Sequence, residues 1–296
     1  MTRATIEIPE GCGAIALCGG PYSNFGAVDA FLAATAHIRH RFCLGDLGGF
    51  GPHPDRTLER IRASDLICLQ GNYDYAVGFD ERDCGCGYLD LRDRETAQIS
   101  FDYTASNTSA HHKVWLRGLP EQILVTWRGA RILLVHGSPD CVNEFVWESE
   151  THDARIDAWL ARENVDAICG THSGIPWVRT TRRGFWCNVG VIGRPAHDGT
   201  PRVGYAVLNF PAGATGPKPD LVPLDYDPAP VTAAMRAEGL PEEFAASLEC
   251  GRWTTCHNIL PPAERVIADR YRPHAHRGAF NRSILHARDA APAQGD

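Results

Sequence analysis

The stretch Arg41-Phe-Cys-Leu-Gly-Asp-Leu-Gly-Gly-Phe-Gly-Pro-His-Pro54 starts as an apolar run and breaks at the turn Gly45-Asp46. Four other apolar runs end in the same way, each at a glycine or polar turn: Ala14–Cys18, Leu66–Gln70, Arg131–Val135 and Val165–Cys169. Runs of this length between turn residues are typical of buried strands. The sequence therefore predicts a sheet-containing fold whose strands end in polar turns.

The segments between these runs have helical periodicity. Asn24 is a suitable N-cap for a helix over Phe25–Ala36, and Arg56–Ala63 and Asp153–Arg162 are two further predicted helices. Alternation of strand, turn and helix indicates an α/β fold. Folds of this class gather the polar residues of a site at the C-terminal ends of strands.

The composition excludes several classes of protein. The chain has 29 Lys+Arg and 36 Asp+Glu among 296 residues, a formal net charge of −7, so no nucleic-acid partner is expected. No apolar run approaches the roughly 18 residues of a membrane helix, and residues 1–9 lack a signal-peptide pattern. No membrane partner is therefore expected. Several of the eleven cysteines lie in apolar runs, which indicates reduced thiols and a cytoplasmic location.

The pattern changes after Asp227, where Pro228-Ala-Pro230 interrupts the chain. Residues 1–227 are predicted to form one α/β domain. Residues 228–270 are predicted to form a small helical extension with two short helices, Val231–Gly239 and Pro241–Glu249. Residues 271–296 have little periodicity and are predicted to be a disordered tail.

Five polar signatures stand at the ends of strand-like runs: Gly20-Pro-Tyr-Ser-Asn24, Gly45-Asp46, Gly71-Asn-Tyr-Asp74, His136-Gly-Ser-Pro139 and Thr171-His-Ser-Gly174. In this order and spacing they resemble the calcineurin-like metallophosphoesterases, whose motifs are D-x-H-G-N, G-D, G-N-H-D, H-G-S-P and G-H-T-H. The segments Gly45–Pro54, Phe101–Pro120 and Asn188–Pro195 resemble the bacterial branch with a G-D-x-V-G-Y-G-P segment. The resemblance implies two packed mixed β-sheets flanked by helices, with residues 1–227 as the catalytic domain.

The resemblance also implies two metal sites that share one bridging aspartate. All the second-metal ligands are present in this chain: Asp46, Asn72, His136 and His172. Three first-metal ligands are replaced, and the residues now at those positions are Gly20, Tyr22 and Gly174. Because the losses fall on one site alone, the sequence predicts one bound ion and argues against a second.

The chemistry of this ligand set agrees with a transition metal. Two imidazoles, one carboxylate and one amide oxygen suit a divalent Mn, Fe, Zn or Ni ion better than Ca or Mg. Such an ion can activate water and polarise a phosphoryl oxygen, although the clamp of a two-metal site is lost.

The third signature departs from the family in a second way. The resemblance implies that the histidine of G-N-H-D protonates the leaving group and that the aspartate orients it. Tyr73 replaces that histidine and Asp74 is retained. Tyr73 is therefore either a proton donor, poorly matched to neutral pH because a phenol has a pKa of about 10, or a packing residue.

Other side chains offer alternative roles. Cys18 and Tyr22 are extra metal ligands if the Gly19-Gly20-Pro21 loop is remodelled, although Cys18 more simply ends a buried strand. Cys84, Cys86, Cys250 and Cys256 are candidate structural thiols, either as a zinc site of unusual spacing or as separate or redox-labile groups. His111 and His112 are expected at the surface of a helix.

Three functions are consistent with these residues. The first is a metal-dependent phosphoesterase acting on a phosphorylated small molecule through one ion at the second-metal site. The second is a non-catalytic, regulatory module that binds a phosphorylated ligand on a degenerate phosphoesterase fold. The third is a redox iron enzyme on the same scaffold. Neither the substrate nor the oligomeric state is predicted, because a fold by itself does not determine function.

Overall fold

The computed structural model describes residues 2–211 and 213–265, and these form two β-sheets with helices on their outer faces. One sheet has six strands in the order β1 (Arg3–Ile8), β5 (Gln122–Trp127), β6 (Ala130–Leu134), β7 (Ala167–Gly170), β9 (Phe185–Asn188) and β8 (Trp177–Thr180). The other has five in the order β11 (Lys218–Leu224), β10 (Val203–Asn209), β2 (Ala14–Cys18), β3 (His40–Cys43) and β4 (Leu66–Cys68). Both sheets contain parallel and antiparallel pairs, as predicted.

The helices are α1 (Phe25–Ala34), α2 (Pro54–Arg62), α3 (Asn72–Gly78), α4 (Leu91–Ser106), α5 (Ala110–Arg117), α6 (Asp153–Glu163), α7 (Ala229–Ala237) and α8 (Glu242–Cys250). The predicted cap of α1 is confirmed, because the Asn24 side-chain oxygen accepts a hydrogen bond from the backbone N–H of Ala27 at 3.0 Å. No helix in residues 2–211 and 213–265 is long and apolar enough to cross a bilayer.

Alternation along the strands separates the layers. In β2, Ile15 and Leu17 face the six-stranded sheet, while Ala16 and Cys18 face the helices. Ile15 and Leu17 are fully buried against residues of the opposite sheet such as Trp127. The two sheets stack through this apolar layer, which confirms the predicted fold class.

The parallel pairing places the C-terminal ends of β2, β3, β4, β6 and β7, with their polar turns, at the same edge of the molecule.

The helical extension is packed against the polar turns. An apolar cluster joins Val231 of α7 and Phe244 of α8 to Tyr22, Phe50 and Val191. The predicted extension, residues 228–270, therefore contains two α-helices and one short 3-10 helix, Pro262–Glu264, within its described part. Residues 266–270 lie outside the described residues. The tail predicted for residues 271–296 also lies outside them.

A buried carboxylate anchors the end of the extension to α4. Asp93 accepts hydrogen bonds from the backbone N–H groups of Cys256 at 2.7 Å and Asn258 at 3.3 Å. Asp93→Ala should lower the free energy of unfolding by about 2–3 kcal/mol, because charged hydrogen bonds are lost and buried N–H groups are left without partners. Urea unfolding measures this loss. Asp102→Ala, on the exposed face of the same helix, is the control, and equal losses in both variants would contradict the assignment.

Candidate metal site

Two glycines bring the turns after β3 and β4 into backbone contact. A Cβ atom on Gly45, whose φ is +87°, would lie 2.4 Å from the backbone nitrogen of Gly71. A Cβ atom on Gly71 would lie 2.2 Å from Oδ1 of Asp46. Neither position has room for a side chain. The turn that carries Asp46 and the turn that carries Asn72 therefore lie against each other at the edge of the sheet.

Three predicted ligands converge at this edge. Asp46, His136 and His172 each offer a ligand atom, and these atoms lie within 4.8 Å of one another. Nε2 of His136 is 3.2 Å from Oδ2 of Asp46 and 3.0 Å from Nδ1 of His172. All three residues are buried, and no other group of this kind occurs within the described ranges. One acid and two imidazoles facing a common point form a donor set that fits a divalent transition metal.

The orientation of His136 and the protonation of His172 fit a metal-binding role. His136 donates its Nδ1 proton to the Leu44 carbonyl oxygen, 2.6 Å away, which leaves Nε2 to face Asp46. Burial opposes charge on His136, but the Asp46 carboxylate outweighs it and raises the pKa of His136. Burial, with the charge of His136, lowers the pKa of His172 to about 3, so that ring stays neutral. Neutral imidazole is the form that binds metals.

Asn72, the fourth predicted ligand, is held by the loop that carries Cys84 and Cys86. Its Nδ2 donates to the Cys84 carbonyl oxygen at 2.7 Å and to Sγ of Cys86 at 3.4 Å. The Asn72 Oδ1 atom is buried and has no hydrogen-bond partner. Because an unpartnered buried oxygen is costly, this atom fits a bound cation. The structure thus brings three of the four predicted ligands together, and the oxygen of the fourth has no other partner.

Asp74 ties the two turns together. Its carboxylate accepts backbone N–H hydrogen bonds from Asp46 at 2.7 Å, Leu47 at 2.9 Å and Gly71 at 2.9 Å. Burial, together with the charge of Asp46, raises the pKa of Asp74 to about 7. These contacts make Asp74 a residue that positions the Asp46 turn.

Tyr73 lies beneath the same turns. Its backbone N–H donates to Oδ1 of Asp46 at 3.0 Å, and its hydroxyl is 3.1 Å from Oγ of Ser100 on α4. The ring packs against Phe101 and Phe50, and burial raises the pKa of the phenol. The hydroxyl is thus engaged by α4, and the contact with Asp46 comes from the backbone.

Aromatic side chains line the positions of the replaced first-metal ligands. A Cβ atom on Gly20 would lie 2.7 Å from the ring of Tyr22 and 2.7 Å from Val191. A Cβ atom on Gly174 would lie 3.4 Å from the ring of Trp253, which comes from the extension. Burial is the main cause that raises the pKa of the Tyr22 phenol. The extension and Tyr22 therefore pack around the positions at which the resemblance implies ligands.

The cysteines are placed apart from the three converging ligands. Cys18 is fully buried in the core on the helix side of its sheet and pairs in register with Cys43, and burial raises the pKa of its thiol. Cys84 and Cys86 form a disulfide, so their sulfurs are joined to each other. Cys250 is free and exposed, and Cys256 is free and buried in the extension. No four-thiol cluster occurs in the described part of the chain.

Two residues around this edge of the sheets have no role predicted from the sequence. The ring of Phe145 lies 4.3 Å from that of His172 and covers it. Arg194, which follows the apolar stretch after β9, is buried with its guanidinium 4.0 Å from the centre of the Trp253 ring. A lone arginine after a glycine-rich apolar stretch is the sequence signal that could have identified it.

Comparisons with known proteins agree with this geometry. Residues 23–212 match the family model described as "Calcineurin-like phosphoesterase superfamily domain". An uncharacterized protein of Methanocaldococcus jannaschii is 26% identical over 255 residues, which is 80% of this chain and 98% of that protein.

Two solved structures are similar in fold. A metallophosphoesterase from Sphaerobacter thermophilus is 24% identical, with a TM-score of 0.62, and the match covers 81% of this chain and 100% of that one. A hypothetical protein from Pyrococcus horikoshii is 19% identical, with a TM-score of 0.67, covering 80% of this chain and 98% of that one.

Proposed function

Because the chain belongs to the calcineurin-like phosphoesterase superfamily, we propose that it is a metal-dependent phosphoesterase that hydrolyses a phosphorylated small molecule. The observation that carries the proposal is the convergence of Asp46, His136 and His172. The unpartnered buried oxygen of Asn72 supports it. We assign one divalent Mn, Fe, Zn or Ni ion to these four residues. When bound, such an ion lowers the pKa of water and polarises a phosphoryl oxygen.

The residues of the chain have distinct roles in this proposal. Asp46 supplies the negative charge of the site, and the hydrogen bond from His136 to the Leu44 carbonyl fixes the orientation of that ring. Asp74 and the backbone N–H of Tyr73 hold the Asp46 turn in place. A second ion is not part of the proposal, because Gly20, Tyr22 and Gly174 offer no replacement for the lost ligands except the buried phenol.

The Tyr73 hydroxyl is assigned to packing. In Tyr73→Phe the contact with Ser100 is lost, so the free energy of unfolding should fall by about 1 kcal/mol. Turnover should remain unchanged within error, since the backbone N–H that contacts Asp46 is kept. Steady-state kinetics and urea unfolding measure the two effects. A fall in kcat of about 100-fold or more, typical of a lost general acid, would identify Tyr73 as the proton donor instead.

The location and partners are also proposals. One disulfide, Cys84–Cys86, is present, but the buried free thiols of Cys18, Cys43, Cys68 and Cys169 favour a reducing compartment, and we propose the cytoplasm. The net charge of −7 favours a small phosphorylated substrate over a nucleic acid.

A second candidate function is a module that binds a phosphorylated ligand without cleaving it. The engagement of the Tyr73 hydroxyl by Ser100 favours it, because the usual donor to a leaving group is then missing at this position. The two candidates share the metal site and differ in turnover alone.

The decisive experiment measures metal content and turnover together. Full-length protein without a histidine tag is purified, analysed for metals, stripped and reloaded separately with Mn²⁺, Fe²⁺, Zn²⁺ or Ni²⁺. Each form is then assayed on phosphomonoesters, phosphodiesters and pyrophosphates. We expect about one ion per chain, with both ion and turnover lost in His172→Ala and kept in His111→Ala, an exposed histidine elsewhere. A folded protein that binds the ion but cleaves nothing would support the binding module, and a protein without an ion would contradict both.

A further inference from the structure

Arg194 lies beside the positions of the lost first-metal ligands. The backbone of the preceding loop runs along Gly19 and Gly20, through hydrogen bonds from Ile192 at 2.9 Å and Gly193 at 2.8 Å. The Arg194 guanidinium stacks over Trp253, whose ring is the side chain next to Gly174. Arg194 thus follows directly on the segment that packs against Gly20.

The charge of Arg194 is buried and has no ion-pair partner among the described residues. The side chain is 6% exposed. Nη2 donates to the Thr255 carbonyl, and no hydrogen bond within residues 2–211 and 213–265 engages Nε or Nη1. The guanidinium carbon lies 4.0 Å from the centre of the Trp253 ring and 5.6 Å from that of Phe50. These rings flank the guanidinium and accept no hydrogen bond from Nε or Nη1. Burying a cation without a paired anion is costly. The buried Asp93 carboxylate acts on the charge of Arg194 but forms no ion pair with it.

Tyr22 connects this cation to the proposed metal site. Its backbone N–H donates to the Asp46 carbonyl oxygen at 3.2 Å, and its ring contacts that of Phe50 at 5.0 Å. The phenol is influenced by the charges of both Asp46 and Arg194. Tyr22 is therefore close to both the cation of Arg194 and the carboxylate of the proposed metal site.

We propose that Arg194 is an anion-binding residue that holds the phosphoryl oxygens of the substrate in place of the missing first metal. This inference rests on the proposed function. Arg194 would supply positive charge that a site with one metal ion lacks compared with a two-metal site. A planar guanidinium with free donors binds phosphate oxygens in a bidentate manner, which gives orientation as well as charge. Arg194 thereby explains how a site with three lost ligands still binds a phosphoryl group.

The test uses inorganic phosphate as the probe and calorimetry as the readout. Phosphate is titrated into the full-length, Mn²⁺-loaded wild type, Arg194→Met and Arg179→Met. Arg179 is a matched control, because its guanidinium also stacks on a tryptophan, 5.5 Å from the centre of the Trp177 ring, and also donates to backbone carbonyls. Unlike Arg194, Arg179 has a carboxylate nearby, that of Asp153 at 3.7 Å.

Arg194→Met should weaken phosphate binding by about 10- to 100-fold, because charged hydrogen bonds to the anion are lost. The affinity for Mn²⁺ should stay within about 2-fold of the wild type, since Arg194 is not a ligand. A purely structural arginine would leave phosphate affinity unchanged, as we expect for Arg179→Met. Equal phosphate affinity in folded Arg194→Met and wild type overturns the inference, and so does a Mn²⁺-loaded wild type that binds no phosphate at millimolar concentration.

A second measurement covers the case in which Arg194→Met does not fold. Arginine side chains of the wild type are labelled with ¹⁵N, and the Nε–H signal that disappears in Arg194→Lys is assigned to Arg194. Phosphate should shift that signal in the wild type, and an unshifted signal overturns the inference. These measurements need no turnover. If phosphate binding depends on Arg194 but the protein has no phosphoesterase activity, the proposed function alone is refuted. If the protein has activity and Arg194→Met does not change it, the inference alone is refuted.

Discussion

Asp46→Asn is expected to remove the metal and the turnover while the fold is kept. The amide has the shape of the carboxylate and can still accept the backbone N–H of Tyr73, but it lacks the only negative charge among the four proposed ligands. Structural zinc sites with four ligands bind with roughly 10–16 kcal/mol, so losing one charged ligand should weaken binding by about 100-fold or more. Turnover at fixed metal concentration should fall at least as far.

Metal affinity is measured by competition with a chromogenic chelator, and folding by circular dichroism and thermal unfolding. Asp198→Asn is the matched control, because Asp198 is also buried but hydrogen-bonds to its own turn at Thr200. Unchanged metal affinity in Asp46→Asn, with the fold intact, would refute the assignment of the site.

Gly71→Ala is expected to damage the site without changing any polar group. The added methyl would lie 2.2 Å from Oδ1 of Asp46 and 2.5 Å from its backbone nitrogen, so the Asp46 turn must move. Overpacking of this kind costs about 1–3 kcal/mol of stability. Displacement of the carboxylate should also lower metal affinity by at least about 10-fold. Losses of this size are typical when the hydrogen bonds that orient a metal ligand are removed.

Gly118→Ala is the control for this variant. The added methyl at Gly118 would meet a backbone oxygen at 3.4 Å, an ordinary contact, and its φ of −84° suits alanine. Metal affinity and urea unfolding are compared for both variants. If Gly71→Ala binds metal as tightly as Gly118→Ala, the close approach of the two turns is not what positions Asp46.

The elements that position the site were predictable because their signals are local. The apolar runs ending at Cys18, Cys43 and Cys68 form the three neighbouring parallel strands β2, β3 and β4. Two of the edge strands, β1 and β11, were harder to predict. Strand β1 alternates between exposed and half-buried residues, and β11 contains two prolines, which are tolerated at the edge of a sheet and weaken a strand pattern.

Features that depend on distant contacts could not be predicted. His112 was expected at the surface and is buried, because Asp55, which is far away in sequence, lies 2.7 Å from its Nδ1 and provides a partner. The position of the Tyr22 ring depends on Val191 and on the extension in the same way. The spacing of the motifs indicates which first-metal ligands are replaced. The packing of Tyr22, Val191 and Trp253 around those positions is visible only in the structure.

The aromatic packing around Gly20 and Gly174 has a consequence for protein design. An aspartate introduced at Gly20 would collide with the ring of Tyr22. A histidine introduced at Gly174, where φ is +71°, would be strained and would start in contact with the Trp253 ring. A second metal site therefore cannot be built by changing Gly20 alone or Gly174 alone, and its design requires compensating changes at Tyr22 and in the extension.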